Sequence, residues 1–172
     1  MSNKFSLSAI GQDSHRFVST DDEKPLVLGG LTFEAEQGLE GNSDADVLLH
    51  ALTNAISGIT CIPILGDIAD ELCLKHKITD SSAYLEIALA DLAEAGYELA
   101  HISFTVQAKK PKFLPIIEDI RKSIAKIVDL PKEHVMLTAT SGENLTEVAR
   151  GAGIEAFCII TVVPLESESY NS

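Results

Sequence analysis

The stretch SDADVLLHALTNAISGI, residues 43–59, constrains the fold more than any other part of the chain. Val47, Leu48, Ala51, Leu52, Ala55, Ile56 and Ile59 recur at helical spacing and make an apolar face too wide to stand in water. Such a helix has to be covered on that face. Ser43 is its expected N-cap, with Asp46 three residues on in a capping-box-like position. What covers it is suggested by the remaining pattern. Residues 5–14 alternate as a strand does, and PLVLGGLTF reads as two short strands turning at Gly29-Gly30. LGDIADEL can form a short helical turn, and DSSAYLEIALADLAEAG a long helix opened by Asp80 or a neighbouring serine and closed by Gly96. ELAHISFTVQA is a strand, LPIIEDIRKSIAKIV a helix with Pro115 in its first turn, and HVMLTAT and GIEAFCIITVV are strands flanking the loop SGENLTEVARG. Strands and helices interleave in the second half. The fold class expected is therefore α/β (α+β), a single sheet with helices packed on one face.

At 172 residues and 45% hydrophobic content, the whole chain, 1–172, suffices for one domain with a real core. Only LESESYNS, residues 165–172, reads as a loose C-terminal tail. The formal net charge of −13 repels nucleic acid and acidic lipid, so neither is an expected partner. An anionic small molecule needs a locally positive pocket or bound cations to overcome that field. Cys61, Cys73 and Cys158 have no zinc or redox spacing, which with the absence of a signal-like N-terminus points to a reducing cytoplasm. The longest apolar stretch, near AFCIITVVP, is far too short to cross a membrane.

The segment GQDSHRF, residues 11–17, places Asp13 and His15 two apart on a strand, so they project together with Ser14 opposite. A carboxylate and an imidazole are two-thirds of an open zinc site; a strand-end ion pair is the plainer alternative. His50, on or beside the apolar face of the helix, is the available third ligand, or else a hydrogen-bonded core histidine. Asp46 lies four residues earlier on the same face, where it can ligate a metal or orient the imidazole. AKKPKFLP places Lys109, Lys110 and Lys112 in one turn of an acidic chain, either a solvated basic turn or a phosphate loop. TATSGENL offers hydroxyls and backbone N–H groups to phosphate, with Glu143 for a hard cation.

In order along the chain, DSH, NSDADVLLHALTNA, LGDI, AKKPKFLP and TATSGENLTEVARGAGI resemble the 2-C-methyl-D-erythritol 2,4-cyclodiphosphate synthase family of the non-mevalonate isoprenoid pathway, over about residues 9–163. The resemblance implies a homotrimer with active sites between subunits. It implies Zn2+ on Asp13, His15 and His50, with Asp46 as an orienting group, and Mg2+ or Mn2+ on Glu143 with phosphate oxygens. The reaction it implies is attack of the 2-phosphate of 4-diphosphocytidyl-2-C-methyl-D-erythritol 2-phosphate on its own β-phosphorus, closing the cyclic diphosphate and releasing CMP. The cytidine end of this small-molecule partner is expected on Ala108, Lys112, Phe113 and Leu114 of the 108–114 loop, faced by Ala139 and Thr140. Ser141 falls where the family has a transition-state threonine, and Ser43, Asp67 and Ala69 fall at the methylerythritol end. Arg150 also keeps its match.

The chain departs from the family pattern in several places. Asn42 stands where a histidine with a transition-state role is common, and asparagine can donate a hydrogen bond but carry no charge. Ala45 replaces a glycine and Gly142 a threonine. About three residues are inserted around CIPI, and ELCLKHKITD lacks the Phe-Pro-Asp-Thr-Asp pattern. Gln12 and Glu147 replace phenylalanines of the trimer channel, where an isoprenoid diphosphate would meet a carboxylate. Two alternatives use the same residues: a zinc-dependent phosphoesterase, and a non-catalytic trimeric metal-binding protein.

Overall fold

A computed structural model describes residues 5–165. Six strands and four α-helices follow in the order β1 (Leu7–Arg16), β2 (Pro25–Leu28), β3 (Leu31–Gln37), α1 (Val47–Thr60), α2 (Asp67–Asp70), α3 (Ser81–Glu94), β4 (Tyr97–Ala108), α4 (Ile117–Ile127), β5 (Val135–Thr140) and β6 (Gly153–Pro164). The main sheet has the order β1-β6-β4-β5. β6 runs antiparallel to both of its neighbours, while β4 and β5 are parallel and are joined through α4. That connection is the crossover a parallel pair requires.

The mixed α/β architecture and the helices expected from the sequence are present, but the sheet is not single. β2 and β3 form their own two-stranded hairpin, which turns at Gly29-Gly30 and is not paired into the main sheet. Its turn is anchored elsewhere: Ser123 of α4 donates to the Gly29 carbonyl at 2.6 Å, and Gly30 N–H donates to the Asp46 carboxylate at 2.7 Å. LGDIADEL forms α2, which runs into a π-helical turn at Glu71–Lys75. Pro115 lies in the turn just ahead of α4 rather than inside it.

The cap of α1 also differs from expectation. Asp46, not Ser43, is the N-cap; its carboxylate accepts from the N–H groups of Leu48 and Leu49, both at 3.1 Å. The Ser43 hydroxyl instead accepts from Ala45 N–H in the loop before the helix. Aspartate reaches the N2 and N3 amides without help and also meets the positive end of the helix dipole. For α3 the cap is Asp80, as the sequence suggests, and Gly96 takes the left-handed conformation (φ 80°) just beyond its end.

Along the apolar face of α1, Val47, Leu48, Ala51, Leu52, Ala55 and Ile56 have no exposed surface, and Ile59 at its end is half-buried. They join Ile102, Phe104 and Val106 of β4 and Ile154, Ala156, Cys158 and Ile160 of β6 in one core. The opposite face of the sheet lies open. Ile10 is 62% exposed and pairs in register with Ile159, 51% exposed; Phe157 and Met136 are exposed beside them. Residues 166–172, the greater part of the expected tail, lie outside the described residues. Among the described residues no helix is long and apolar enough to cross a membrane.

Candidate active site

The site begins with a missing side chain. Gly11 sits on the β1 face that turns towards α1, and a Cβ built there would lie 2.0 Å from the Ala51 carbonyl oxygen and 2.3 Å from the Ala55 nitrogen. Only a residue without a Cβ lets the strand approach the helix so closely. Asp13 and His15 follow at the strand period on the same face, so the close approach carries both side chains onto His50 of α1.

Their donor atoms converge. Asp13 Oδ2 lies 2.9 Å from His15 Nε2 and 3.0 Å from His50 Nδ1, and the two ring nitrogens are 3.4 Å apart. One ligand atom from each of the three lies within 4.8 Å of the others, a group able to hold a divalent cation. Burial alone would raise the Asp13 pKa. The hydrogen bonds and charges of His15 and His50 outweigh it and hold the carboxyl well below its usual range. The Asp13 carboxylate in turn raises the pKa of His15, an effect that partial burial opposes. An ionised carboxylate oxygen flanked by two imidazole nitrogens is a donor set that suits a divalent cation.

The far side of His50 is held by a residue that sequence reasoning missed. His50 Nε2 lies 2.8 Å from the hydroxyl of Ser81, the first residue of α3, which also bonds the Asp44 carboxylate. Asp46 does not orient this ring. Both of its oxygens are spent on backbone N–H groups, those of Leu48 and Leu49 on one and Gly30 on the other, because it is the helix cap. Ser81 left no mark in the sequence, since it reads as one of several serines at a helix start.

A cavity of about 380 Å³ opens beside the cluster, lined by Asp13, His15, His50, Asn42, Ser43, Ala69, Asp70 and Tyr84 among others. Three of the residues expected at the methylerythritol end or beside it (Asn42, Ser43, Ala69) therefore share the cavity with Asp13, His15 and His50. Asp67 does not line it; Asp70, one helical turn on, does. The loop bearing Asn42 is gripped from behind. Lys24 donates to the carbonyls of Gly41 at 3.1 Å and Ser43 at 2.7 Å, and the Cys73 thiol donates to that of Asn42 at 3.1 Å.

A second, separate pocket of about 170 Å³ collects Ala108, Lys109, Lys112, Phe113, Leu114, Ala139, Thr140 and Ser141. The two segments expected to hold the cytidine end thus meet across the parallel β4–β5 edge, where Val106 and Gln107 pair with Ala139 and Thr140. Phe113 is buried and fixes the loop in the core, whereas Leu114 is 88% exposed. Glu143 is exposed, with φ 50°, and joins no cluster of metal-ligating side chains among the described residues. Arg150 lines neither pocket; its guanidinium pairs with Glu147 at 2.6 Å.

The pattern of this site has close counterparts. The family model described as the YgbB family matches residues 7–163. The chain belongs to the YgbB family. A relative from Chlamydia trachomatis serovar A, named 2-C-methyl-D-erythritol 2,4-cyclodiphosphate synthase, is 46% identical over 154 residues, 90% of this chain and 86% of the relative. Among solved structures, the 2C-methyl-D-erythritol 2,4-cyclodiphosphate synthase of Plasmodium vivax superposes with a TM-score of 0.78 at 25% identity, covering 94% of this chain and all of that one. A further synthase structure, described as a CDP-bound form, superposes with a TM-score of 0.75 at 25% identity, covering 91% of this chain and all of that one. The activity of this YgbB-family chain is accordingly that of a cyclodiphosphate synthase in isoprenoid precursor synthesis, a CMP-releasing enzyme of the lyase class. Neither the phosphoesterase nor the inert binder is favoured.

Proposed function

We propose that Asp13, His15 and His50 hold Zn2+, that Glu143 holds Mg2+ or Mn2+ together with substrate phosphates, and that three copies of the chain assemble around the open sheet face. The substrate in this reading is 4-diphosphocytidyl-2-C-methyl-D-erythritol 2-phosphate, and the products are the 2,4-cyclodiphosphate and CMP. The convergence of one carboxylate oxygen and two ring nitrogens is the observation that carries it. When bound, the cations supply neutralisation of the diphosphate charge that an otherwise acidic chain would repel.

The chain's own residues have separable tasks. Asn42 and Ser43, on a loop clamped by Lys24 and Cys73, present hydrogen-bonding groups to the phosphate beside the metal ligands. Ala108, Lys112, Phe113, Leu114, Ala139 and Thr140 hold the cytidine end, and Ser141 donates from its hydroxyl to the phosphoryl group as charge builds on it. Holding both ends lets the 2-phosphate oxygen attack in line, with CMP as the leaving group and no water required. Leu65, Ala69 and Tyr84 give that cavity an apolar wall, and closing it to water when substrate binds would keep hydrolysis from competing with the intramolecular step. Asp67 and Arg150 line neither pocket of a single chain, so any part they have in binding depends on the assembly or on the bound substrate.

Assembly is supported by two facts. The metal-ligand cavity and the cytidine-end pocket share no residue within one chain, so a substrate that uses both is best served by pockets from neighbouring subunits. The open sheet face also offers Ile10, Ile159, Phe157 and Met136 as an apolar surface for another copy to cover. A soluble cytoplasmic setting is part of the proposal. The test is His50→Ala: zinc and cyclase activity are expected to disappear together, because two ligands hold the ion poorly. Retention of one zinc per chain by the variant contradicts the assignment.

A further inference from the structure

The far ring nitrogen of His50 is engaged by a chain of side chains, whereas His15 has a backbone partner at Glu40. Ser81 is fully buried at the start of α3, with its hydroxyl between His50 Nε2, 2.8 Å away, and the Asp44 carboxylate. Asp44 is itself fixed. Its Oδ1 accepts from Asp46 N–H at 3.1 Å, its Oδ2 from Ser81 N–H at 3.0 Å, and its own N–H donates to the Thr79 carbonyl at 2.8 Å.

The donor count along this chain leaves one arrangement. An ionised carboxylate only accepts, so the single hydroxyl proton of Ser81 goes to Asp44. The Ser81 oxygen is then left as an acceptor, and the proton facing it must sit on His50 Nε2. When a cation replaces the proton that Nδ1 shares with Asp13 Oδ2, 3.0 Å away, the neutral imidazole keeps its Nε2–H and turns the Nδ1 lone pair to that cation, beside His15 Nε2 at 3.4 Å. We infer that Ser81 and Asp44 form a relay that locks the His50 ring and its tautomer with the Nδ1 lone pair towards the cation, which makes Ser81 a positioning residue of the metal centre. The inference rests on the reading that Asp13, His15 and His50 hold a divalent cation. It also ties that centre to the junction of α1 and α3, because the relay stitches the loop before one helix to the first residue of the other.

Two measurements on the full-length protein test it, with Zn2+ as the probe. The first needs no variant: in the zinc-loaded protein, nitrogen NMR of the His50 ring is expected to show a protonated Nε2 and a metal-bound Nδ1. A metal-bound Nε2 overturns the relay. The second compares zinc affinity, by chelator competition, for wild type, Ser81→Ala and Ser81→Thr. Ser81→Ala removes only the hydroxyl at a position where alanine suits a helix start, and is expected to bind zinc about 10- to 100-fold more weakly, the usual scale for loss of a group that orients a ligand. Ser81→Thr, which keeps the hydroxyl, is expected to recover most of that loss. If Ser81→Ala folds, as judged by circular dichroism, and binds zinc as tightly as wild type, the relay is wrong while the metal site stands. Wild type that takes up no zinc overturns the metal reading itself and this inference with it.

Discussion

Gly11→Ala tests whether the close approach of β1 to α1 builds the proposed metal centre. The added Cβ would sit 2.0 Å from the Ala51 oxygen and 2.3 Å from the Ala55 nitrogen, where ordinary contact begins at 3.4 Å. Both are backbone atoms in the middle of a helix, so no side-chain rotation relieves the clash. Strand and helix must part by more than an ångström. Overpacking of this kind costs about 1–3 kcal/mol, and the obstruction by backbone places this case at the upper end. The same displacement acts on the site, because Asp13 is two residues from Gly11 and His50 is next to Ala51. Metal–ligand distances tolerate only about ±0.2 Å, so a shift several times larger cannot be absorbed with all three ligands kept. The expected result is a lower melting temperature in chelator-treated protein together with loss of tight zinc binding. A variant that melts with wild type and binds zinc with unchanged affinity would refute the argument.

Glu143→Gln keeps the side-chain shape and removes its charge; zinc content should be unchanged, while the magnesium concentration for half-maximal rate rises about tenfold or more, the scale of one lost charge-assisted contact. An unaltered magnesium dependence counts against Glu143 as the ligand. Asn42→His adds an imidazole to the cavity lined by the proposed metal ligands, and kcat is expected to rise; an unchanged or lower kcat would show that the amide already meets the need. The metal-free cluster has a defined pH window. His15 has its pKa raised above 6.5, so its contribution is complete below 6.5 and lost as pH rises through the raised value. Asp13 is lowered from 3.8, so its contribution is complete above 3.8 and lost as pH falls through the lowered value. The melting-temperature gap between chelator-treated wild type and Asp13→Asn should therefore be widest between pH 3.8 and 6.5, and a gap that does not vary with pH contradicts the pairing.

Local signals were strong enough to place most elements. The apolar stripe of α1, the Gly29-Gly30 turn and the Asp80 cap each report on neighbours within a few residues, which is the range over which sequence patterns are unambiguous. The pairing of Asp13 with His15 was legible for the same reason, since strand alternation alone puts them on one side. Long-range choices were not. Nothing local distinguishes an aspartate that caps a helix and pins a hairpin from one that orients a histidine, and Asp46 does the former. Ser81 is 31 residues from the ring it holds, and only the packing of α3 on α1 brings them together. The hairpin's separation from the main sheet likewise depends on α4, which offers Ser123 and the side chains of Ile120 and Ile124 to its turn. Where the resemblance to the cyclodiphosphate synthases supplied roles, the structure sorts most of the residues into two pockets and leaves Asp46, Asp67, Glu143 and Arg150 outside both.

X-ray absorption at the zinc edge of the loaded protein tests the central claim most directly. Two imidazole nitrogens and at least one carboxylate oxygen at about 2.0–2.2 Å are expected, lost on His50→Ala. A shell containing sulfur at about 2.3 Å, or one unaffected by that substitution, would show that the cation sits elsewhere and that Asp13, His15 and His50 converge for another reason.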